Sequence, residues 1–272
     1  MEVAFNVDEQ LFLLGELTRE EIREVAPKAV LVLPTAATEQ HGPHLPLKTD
    51  CAIGEAVARR AAELAAREVP VCLAPLLPYG NSHHHLAFSA LSLRSETYLA
   101  VIRDLLDTAV QSGFRRIFIL NAHGGNDDGV RMAGRDLVLT PEGKERGVAF
   151  AACSYWNVAQ VAARAAGVDK LGHFPGHAGN FETSMVMAIA PDLVRQDRLP
   201  RDADHPAPIN YAGTLPSGLL VAKSGDWERV NGYTEASLRA NAEDGRRFLE
   251  VISAEVAKTI VAFHLATAEP SP

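Results

Sequence analysis

Residues 30–50 read Val-Leu-Val-Leu-Pro-Thr-Ala-Ala-Thr-Glu-Gln-His-Gly-Pro-His-Leu-Pro-Leu-Lys-Thr-Asp. The opening run Val30–Leu33 is apolar on both alternating faces, the pattern of a strand buried on both sides. A helical pattern follows, with Ile53, Val57, Ala61 and Leu64 spaced by four, four and three residues and Asp50 placed as N-cap. Between strand and helix lie Glu39, His41, His44 and Asp50, four potential metal ligands within twelve residues. A strand-to-helix crossover of an open α/β sheet is where such folds place their active sites.

Working outward, apolar runs at Val71–Pro75, Ile117–Leu120 and Val148–Cys153 alternate with helical stretches, which predicts a mostly parallel sheet covered on both faces. One helix is expected from Glu96 to Ser112, with Ser95 as cap and Gly113 as stop. Another is expected from Asn126 to Leu139, followed by a surface turn at Pro141-Glu142-Gly143, and a further one from Glu182 to Ala190. The last helix is expected to open at Thr234 and to pack through Leu249, Ile252, Val256, Ile260 and Phe263, with Gly245 weakening its first third. Residues 195–233 break this regularity and read as a lid or an oligomer contact, or as a passive surface excursion, and residues 269–272 as a frayed tail. The whole chain, 1–272, is expected to form one α/β domain.

Apolar residues make up 47% and charged residues 22%, a balance that gives a packed core and excludes disorder for the bulk of the chain. The net charge is −8 and the cations are scattered, which argues against nucleic-acid binding. The N-terminal residues lack a signal-peptide pattern and no apolar run approaches about 20 residues, so neither a membrane span nor export is expected and the protein is placed in the cytoplasm. Cys51, Cys72 and Cys153 are isolated, which argues against a disulfide framework or a thiolate zinc cage. They also lack an activating context, and with no G-x-S-x-G elbow the chain does not read as a nucleophilic-serine or cysteine hydrolase.

Two further clusters carry chemistry. Asn121-Ala-His-Gly-Gly-Asn126 follows the strand Ile117–Leu120, putting His123 at the same sheet edge as Glu39; a polar turn is the alternative reading. Gly176-His-Ala-Gly-Asn-Phe-Glu-Thr-Ser184 sets His177 and Glu182 five residues apart at a helix start, where an acidic residue is also favoured by the helix dipole alone. Together Glu39, His41, Asp50, His123 and Glu182 form an oxygen and nitrogen donor set suited to Zn²⁺, Mn²⁺ or Fe²⁺. Five protein ligands exceed what one catalytic zinc takes, so two divalent ions sharing Asp50 are expected.

The motifs E-Q-H-G-P-H-L-P-L-K-T-D at 39–50, N-A-H-G-G-N at 121–126 and H-A-G-N-F-E-T-S at 177–184 resemble, in order, those of the creatininase (creatinine amidohydrolase) family. The resemblance runs from about residue 30 to 190 and implies a three-layer α/β/α metal-dependent amidohydrolase. It implies one ion on Glu39, Asp50 and His123, a second on His41, Asp50 and Glu182, and proton transfer by His177. For His177 a hydrogen bond to a ligand carboxylate or simple packing are the competing roles. In creatininase proper a glutamate ligand stands where this chain has Gly125, so Glu182 has to substitute for it.

The resemblance also implies a homo-oligomer, with a hexamer suggested, and a small-molecule amide as substrate. Tyr155 and Trp156 are candidates for an aromatic wall over that substrate, or for core packing. His83, His84 and His85 stand before Ser89-Ala90-Leu91, where the family has Pro-Gly-Thr; they read as a pocket mouth or a surface cluster and are not counted as ligands. His44 is expected to shape the loop or the pocket wall. His173 occupies a position where creatininase has a tryptophan, which argues against creatinine itself. The expected reaction is hydrolysis of a C–N bond other than a peptide bond; a formamide deformylase or a peptidase acting on a short cofactor-precursor peptide are the alternatives. A metal-binding protein without catalysis is the alternative of another class.

Overall fold

The computed structural model describes residues 10–201 and 221–268. Among these, five strands form one sheet: β1 (Leu11–Leu13), β2 (Val30–Thr35), β3 (Val71–Leu73), β4 (Arg116–Asn121) and β5 (Ala149–Ser154). They lie in the order β1-β3-β2-β4-β5, and every neighbouring pair is parallel.

The strand period of two divides the central residues between two cores. Val30, Val32, Phe118 and Leu120 face one layer, made chiefly by α2 (Thr49–Ala65), α6 (Tyr155–Ala165), α7 (Asn180–Ile189) and α9 (Ala242–Thr267). Leu31, Leu33, Ile117 and Ile119 face the other, where α1 (Arg19–Val25), α3 (Ser95–Gln111) and α4 (Asp127–Leu139) pack. This is the expected three-layer α/β/α arrangement.

Several helix starts differ from expectation, and each difference has a chemical reason. Asp50 does not cap α2; it lies inside the first turn, where Lys48 is the N-cap and makes no side-chain cap bond. Ser95 begins α3 and accepts a hydrogen bond from Asn81 Nδ2 instead of capping the helix. The expected turn at Pro141 is a short helix, α5 (Pro141–Glu145), capped by Thr140. Thr234 does not open the last helix: Asn241 caps α9 through Asp244 N, and Thr234 is bonded to His177. Gly245 is a close-approach residue, since a Cβ there would overlap the Ser184 carbonyl of α7. A side chain would push the two helices apart, so the conformational cost of glycine is offset by packing.

The centre of the irregular stretch, residues 202–220, and the tail at 269–272 lie outside the described residues. The described part beyond it holds α8 (Asp226–Arg229). No helix among the described residues is long and apolar enough to cross a membrane.

Candidate metal centre

The parallel register aligns Thr35, Asn121 and Ser154 in one row at the carboxyl edge of the sheet. Asn121 spans that row: its Oδ1 accepts from Thr35 Oγ1 at 3.1 Å, and its Nδ2 donates to Ser154 Oγ at 3.0 Å. The same side chain braces the turn after β4, donating to His123 O at 2.6 Å and accepting from His123 N at 3.2 Å. Asn126 ties that turn to the neighbouring loops through Ala36 O at 3.2 Å and Asn81 N at 2.9 Å. The two asparagines of Asn-Ala-His-Gly-Gly-Asn are therefore the scaffold that aims His123.

Glu39, His41, Asp50, His123, His177 and Glu182 are all buried and meet at this edge. His123 Nδ1 lies 3.3 Å from Glu39 Oε1 and 3.1 Å from Asp50 Oδ2. His41 Nε2 lies 3.0 Å from Asp50 Oδ1 and 3.8 Å from Glu182 Oε2. The five expected ligands thus form two groups, Glu39–Asp50–His123 and His41–Asp50–Glu182, joined at Asp50. Donors about 2.0–2.2 Å from a tetrahedral ion stand roughly 3.4 Å apart, so these spacings match those around an ion.

The histidine tautomers fit the same purpose. His41 Nδ1 is 3.1 Å from the Glu39 carbonyl and His123 Nε2 is 2.9 Å from the Asn81 carbonyl. A carbonyl oxygen only accepts, so each ring carries a proton on its outer nitrogen, and the inner nitrogen, which faces the carboxylates, is the one that would ligate. The carboxylates also draw positive charge onto those inner nitrogens. Burial opposes protonation of His41, yet Asp50, Glu182 and Glu39 outweigh it and raise its pKa to about 10. Burial likewise opposes protonation of His123, and Glu39 and Asp50 overcome it. For Glu182, burial, together with Asp50 and Glu39, raises the pKa against the opposing pull of His41 and the Ala178 N–H. The three carboxylates thus favour positive charge among them, and the donor set fits a divalent metal.

Glu182 reaches the cluster because Ala178 N–H donates to its Oε2 at 2.6 Å, from an Ala178 backbone at φ 54°. That left-handed conformation costs a non-glycine residue on the order of 1–2 kcal/mol, held here by the surrounding hydrogen bonds. Gly125 has no room for a side chain, because a Cβ there would overlap the Asn81 carbonyl. No ligand can come from position 125 with this backbone.

His177 stands against the first group, its Nδ1 3.7 Å from Glu39 Oε1 and its Nε2 2.9 Å from the Gln40 carbonyl. Burial, with His41 and His85 nearby, lowers its pKa well below the usual histidine range. A cavity of about 160 Å³ opens beside it, lined by Glu39, Asp50, His123 and Glu182 below and by Trp156, His84 and Trp227 around. Tyr155 is buried in the core, its ring 4.9 Å from that of Trp156, and does not line the cavity. The histidine run divides: His83 is exposed, His84 lines the cavity, and His85 is fully buried. His44 is also buried, its Nε2 2.7 Å from Thr183 Oγ1, which ties the ligand loop to α7.

Trp227 was not among the residues the sequence marked. Its ring meets that of His85 at 4.4 Å and 68°, and that of His177 at 5.2 Å and 75°. Only the glycines flanking its segment, Gly225 and Gly232, hinted at a turn there; both have positive φ.

Residues 15–260 match the sequence profile of the family described as "Creatininase: Creatinine amidohydrolase". The mycofactocin precursor peptide peptidase of Mycobacterium ulcerans (strain Agy99) is 33% identical over 88% of this chain and 87% of its own. The creatinine amidohydrolase of Pseudomonas putida is 29% identical over 85% of this chain and 94% of its own. A solved structure described as "Creatininase Mn" superposes with a TM-score of 0.73 at 29% identity, covering 91% of this chain and 96% of that one.

Proposed function

The chain belongs to the creatininase family, and from that membership we propose that it is an amidohydrolase that hydrolyses a C–N amide bond, outside a peptide chain, in a small molecule. Two divalent ions are proposed, Zn²⁺ first, with Mn²⁺ and Fe²⁺ as alternatives. Glu39, Asp50 and His123 would hold one, and His41, Asp50 and Glu182 the other. The observation that carries this reading is the pair of donor groups meeting at Asp50, each with a histidine whose proton is turned away from the cluster.

Divalent ions held there would supply Lewis-acid polarisation of an amide carbonyl and a lowered pKa for attacking water. The chain's own residues do the rest. His177 donates its Nε2–H to the Gln40 carbonyl, which leaves Nδ1 as a lone pair directed at the cluster. That atom can take a proton from attacking water and return it to the departing nitrogen, and the low pKa of His177 favours its release. Trp156, Trp227 and His84 wall the cavity, exclude bulk water and offer flat faces to a planar amide. Tyr155, candidate for the same wall, contributes by packing behind Trp156.

A second reading is favoured by one observation: the relative that is 33% identical is a peptide peptidase. A short peptide whose terminal amide reaches the cavity is then the substrate; a formamide of small size also fits it. Turnover assays of the metal-loaded protein against cyclic amides, formamides and short peptides test all three, and inactivity across the three classes would sink the amidohydrolase reading. A non-catalytic metal binder is separated by His177→Ala, which leaves ligand binding unchanged in a binder. We further propose one domain, a cytoplasmic protein and a homo-oligomer, the last read by light scattering.

A further inference from the structure

Glu39 Oε1 is faced by three imidazoles: His123 Nδ1 at 3.3 Å, His177 Nδ1 at 3.7 Å and His85 Nε2 at 3.5 Å. By distance alone Glu39, His84 and His85 make another group that could hold a metal. The hydrogen bonds around Gln40 decide otherwise. Gln40 Oε1 accepts from the Gly42 N–H at 2.9 Å, and Nε2 donates to the Gly232 carbonyl at 2.6 Å. A backbone N–H only donates and a carbonyl only accepts, so the carboxamide cannot be flipped. Gln40 Nε2 also lies 3.1 Å from His177 Nε2, but that nitrogen donates to the Gln40 carbonyl and cannot accept, so the second amide N–H goes to His85 Nδ1 at 2.8 Å. His85 Nδ1 must accept that bond, and the ring proton therefore sits on Nε2.

His85 Nε2 is fully buried and has no hydrogen-bond partner within ordinary distance among the described residues. Nε2 stands 3.5 Å from Glu39 Oε1, a charge–dipole contact and not a formed hydrogen bond, while Ser82 Oγ donates to Glu39 Oε2. We propose that Gln40 and His85 are a positioning pair for Glu39: the Gln40 carboxamide fixes the His85 tautomer, and the His85 Nε2–H holds the Glu39 carboxylate in its ligating orientation. His85 is thus a donor to the ligand and not a ligand itself. The pair also joins the site to its wall, since the Gly232 carbonyl that orients Gln40 follows the segment carrying Trp227. A Cβ at Gly232 would come within 2.7 Å of Gln40 Oε1, so this approach depends on glycine.

The inference rests on the proposed role of Glu39 as a ligand, and its test separates the two. Zn²⁺ affinity is measured by competition with a chromophoric chelator for wild type, His85→Leu and His85→Gln. Leucine fills the space against Trp227 but donates nothing; glutamine places an amide N–H where His85 Nε2–H stood. His85→Leu is expected to weaken Zn²⁺ binding by roughly 10–100-fold, the usual cost of losing a partner of a metal ligand. His85→Gln is expected to recover most of that loss. A packing role predicts the reverse order, and equal affinities for the two variants, or wild-type affinity in His85→Leu, overturn the proposal.

Nitrogen-15 NMR of histidine-labelled protein, assigned by difference against the His85 variants, reads the tautomer directly. The expected wild-type pattern is a protonated Nε2 and an accepting Nδ1, reversed in Gln40→Glu, whose carboxylate only accepts. A metal-shifted His85 Nε2 in the zinc form, or a protonated Nδ1 in wild type, refutes the pair. Should Gln40→Glu fail to fold, the wild-type spectrum and the two His85 variants still decide. If Glu39 is not a ligand, the wild-type protein shows no site that depends on it, whereas the His85 tautomer is still read from the metal-free protein.

Discussion

Asp50 Oδ1, in the first turn of α2, lies 3.0 Å from Nε2 of His41, which is nine residues earlier in the loop before that helix. Its other oxygen, Oδ2, is 3.1 Å from His123 Nδ1, so a single carboxylate serves both donor groups. Asp50→Ala removes the donor they share. The expected result is a fall from two ions per chain to one or fewer. Turnover should drop by more than the roughly 10–100-fold typical for partners of a ligand. Elemental analysis and kcat on the same preparation check this; a variant that still binds two ions would assign the bridge elsewhere.

Chelation should abolish turnover, and added Zn²⁺ or Mn²⁺ should restore it. Thiol reagents should leave it intact, because burial raises the pKa of Cys51 to about 11 and those of Cys72 and Cys153 to about 12. A thiol held that high is not a nucleophile near neutral pH. Rapid loss of activity with iodoacetamide, while both ions stay bound, would contradict the metal reading.

His177→Ala removes the lone pair next to Glu39 but none of the five proposed ligands. A loss of about 10²–10⁴-fold in kcat is expected, the range for a general acid–base. Metal content should stay at the wild-type value. Loss of an ion together with activity would instead make His177 a ligand.

Trp227→Ala opens one wall of the cavity. Stacking between flat groups is worth about 0.5–1.5 kcal/mol beyond area burial, so KM should rise several-fold and by up to about 10-fold. Trp227→Phe keeps a flat face and should recover most of the loss. An unchanged KM in the alanine variant would remove this wall from substrate recognition.

His44 provides a pH test. Burial, and then the nearby His41, lowers its pKa from the usual 6.5 to about 4. The folded state therefore holds it neutral while the unfolded state takes up a proton, so stability is present above pH 6.5 and is lost as pH falls toward 4. That shift corresponds to about 3 kcal/mol as an order of magnitude. In metal-free protein, denaturant midpoints for His44→Gln should fall less than those of wild type between these pH values. Parallel curves would show that other groups carry the acid sensitivity.

Much of the site was legible because metal chemistry restricts residue types and because parallel strands send their crossover loops to one edge. Glu39 and His41 sit on the loop after β2, Asp50 in the first turn of the helix that follows it, and His123 on the turn after β4. Strand pattern alone was enough to predict that these would be neighbours. The helix starts were less legible. Asp50, Ser95 and Thr234 all look like caps in sequence, but each spends its oxygen on a partner distant along the chain, and such partners leave no local signal.

What the sequence determined by itself was therefore the α/β layering, the family and the candidate donors that the fold gathers at one sheet edge, because burial periodicity and side-chain chemistry are written residue by residue. Tertiary structure alone decided the protonation and the walls of the site. The outward protons of His41 and His123, the lone pair of His177 and the Nε2–H of His85 each depend on a carbonyl or amide brought in by folding. Trp227 reaches the cavity from a segment about fifty residues beyond His177, and Gly125 excludes a side chain only because the Asn81 carbonyl fills its space. A hydrogen-bond direction is a property of two groups in contact, and only the folded chain supplies the second.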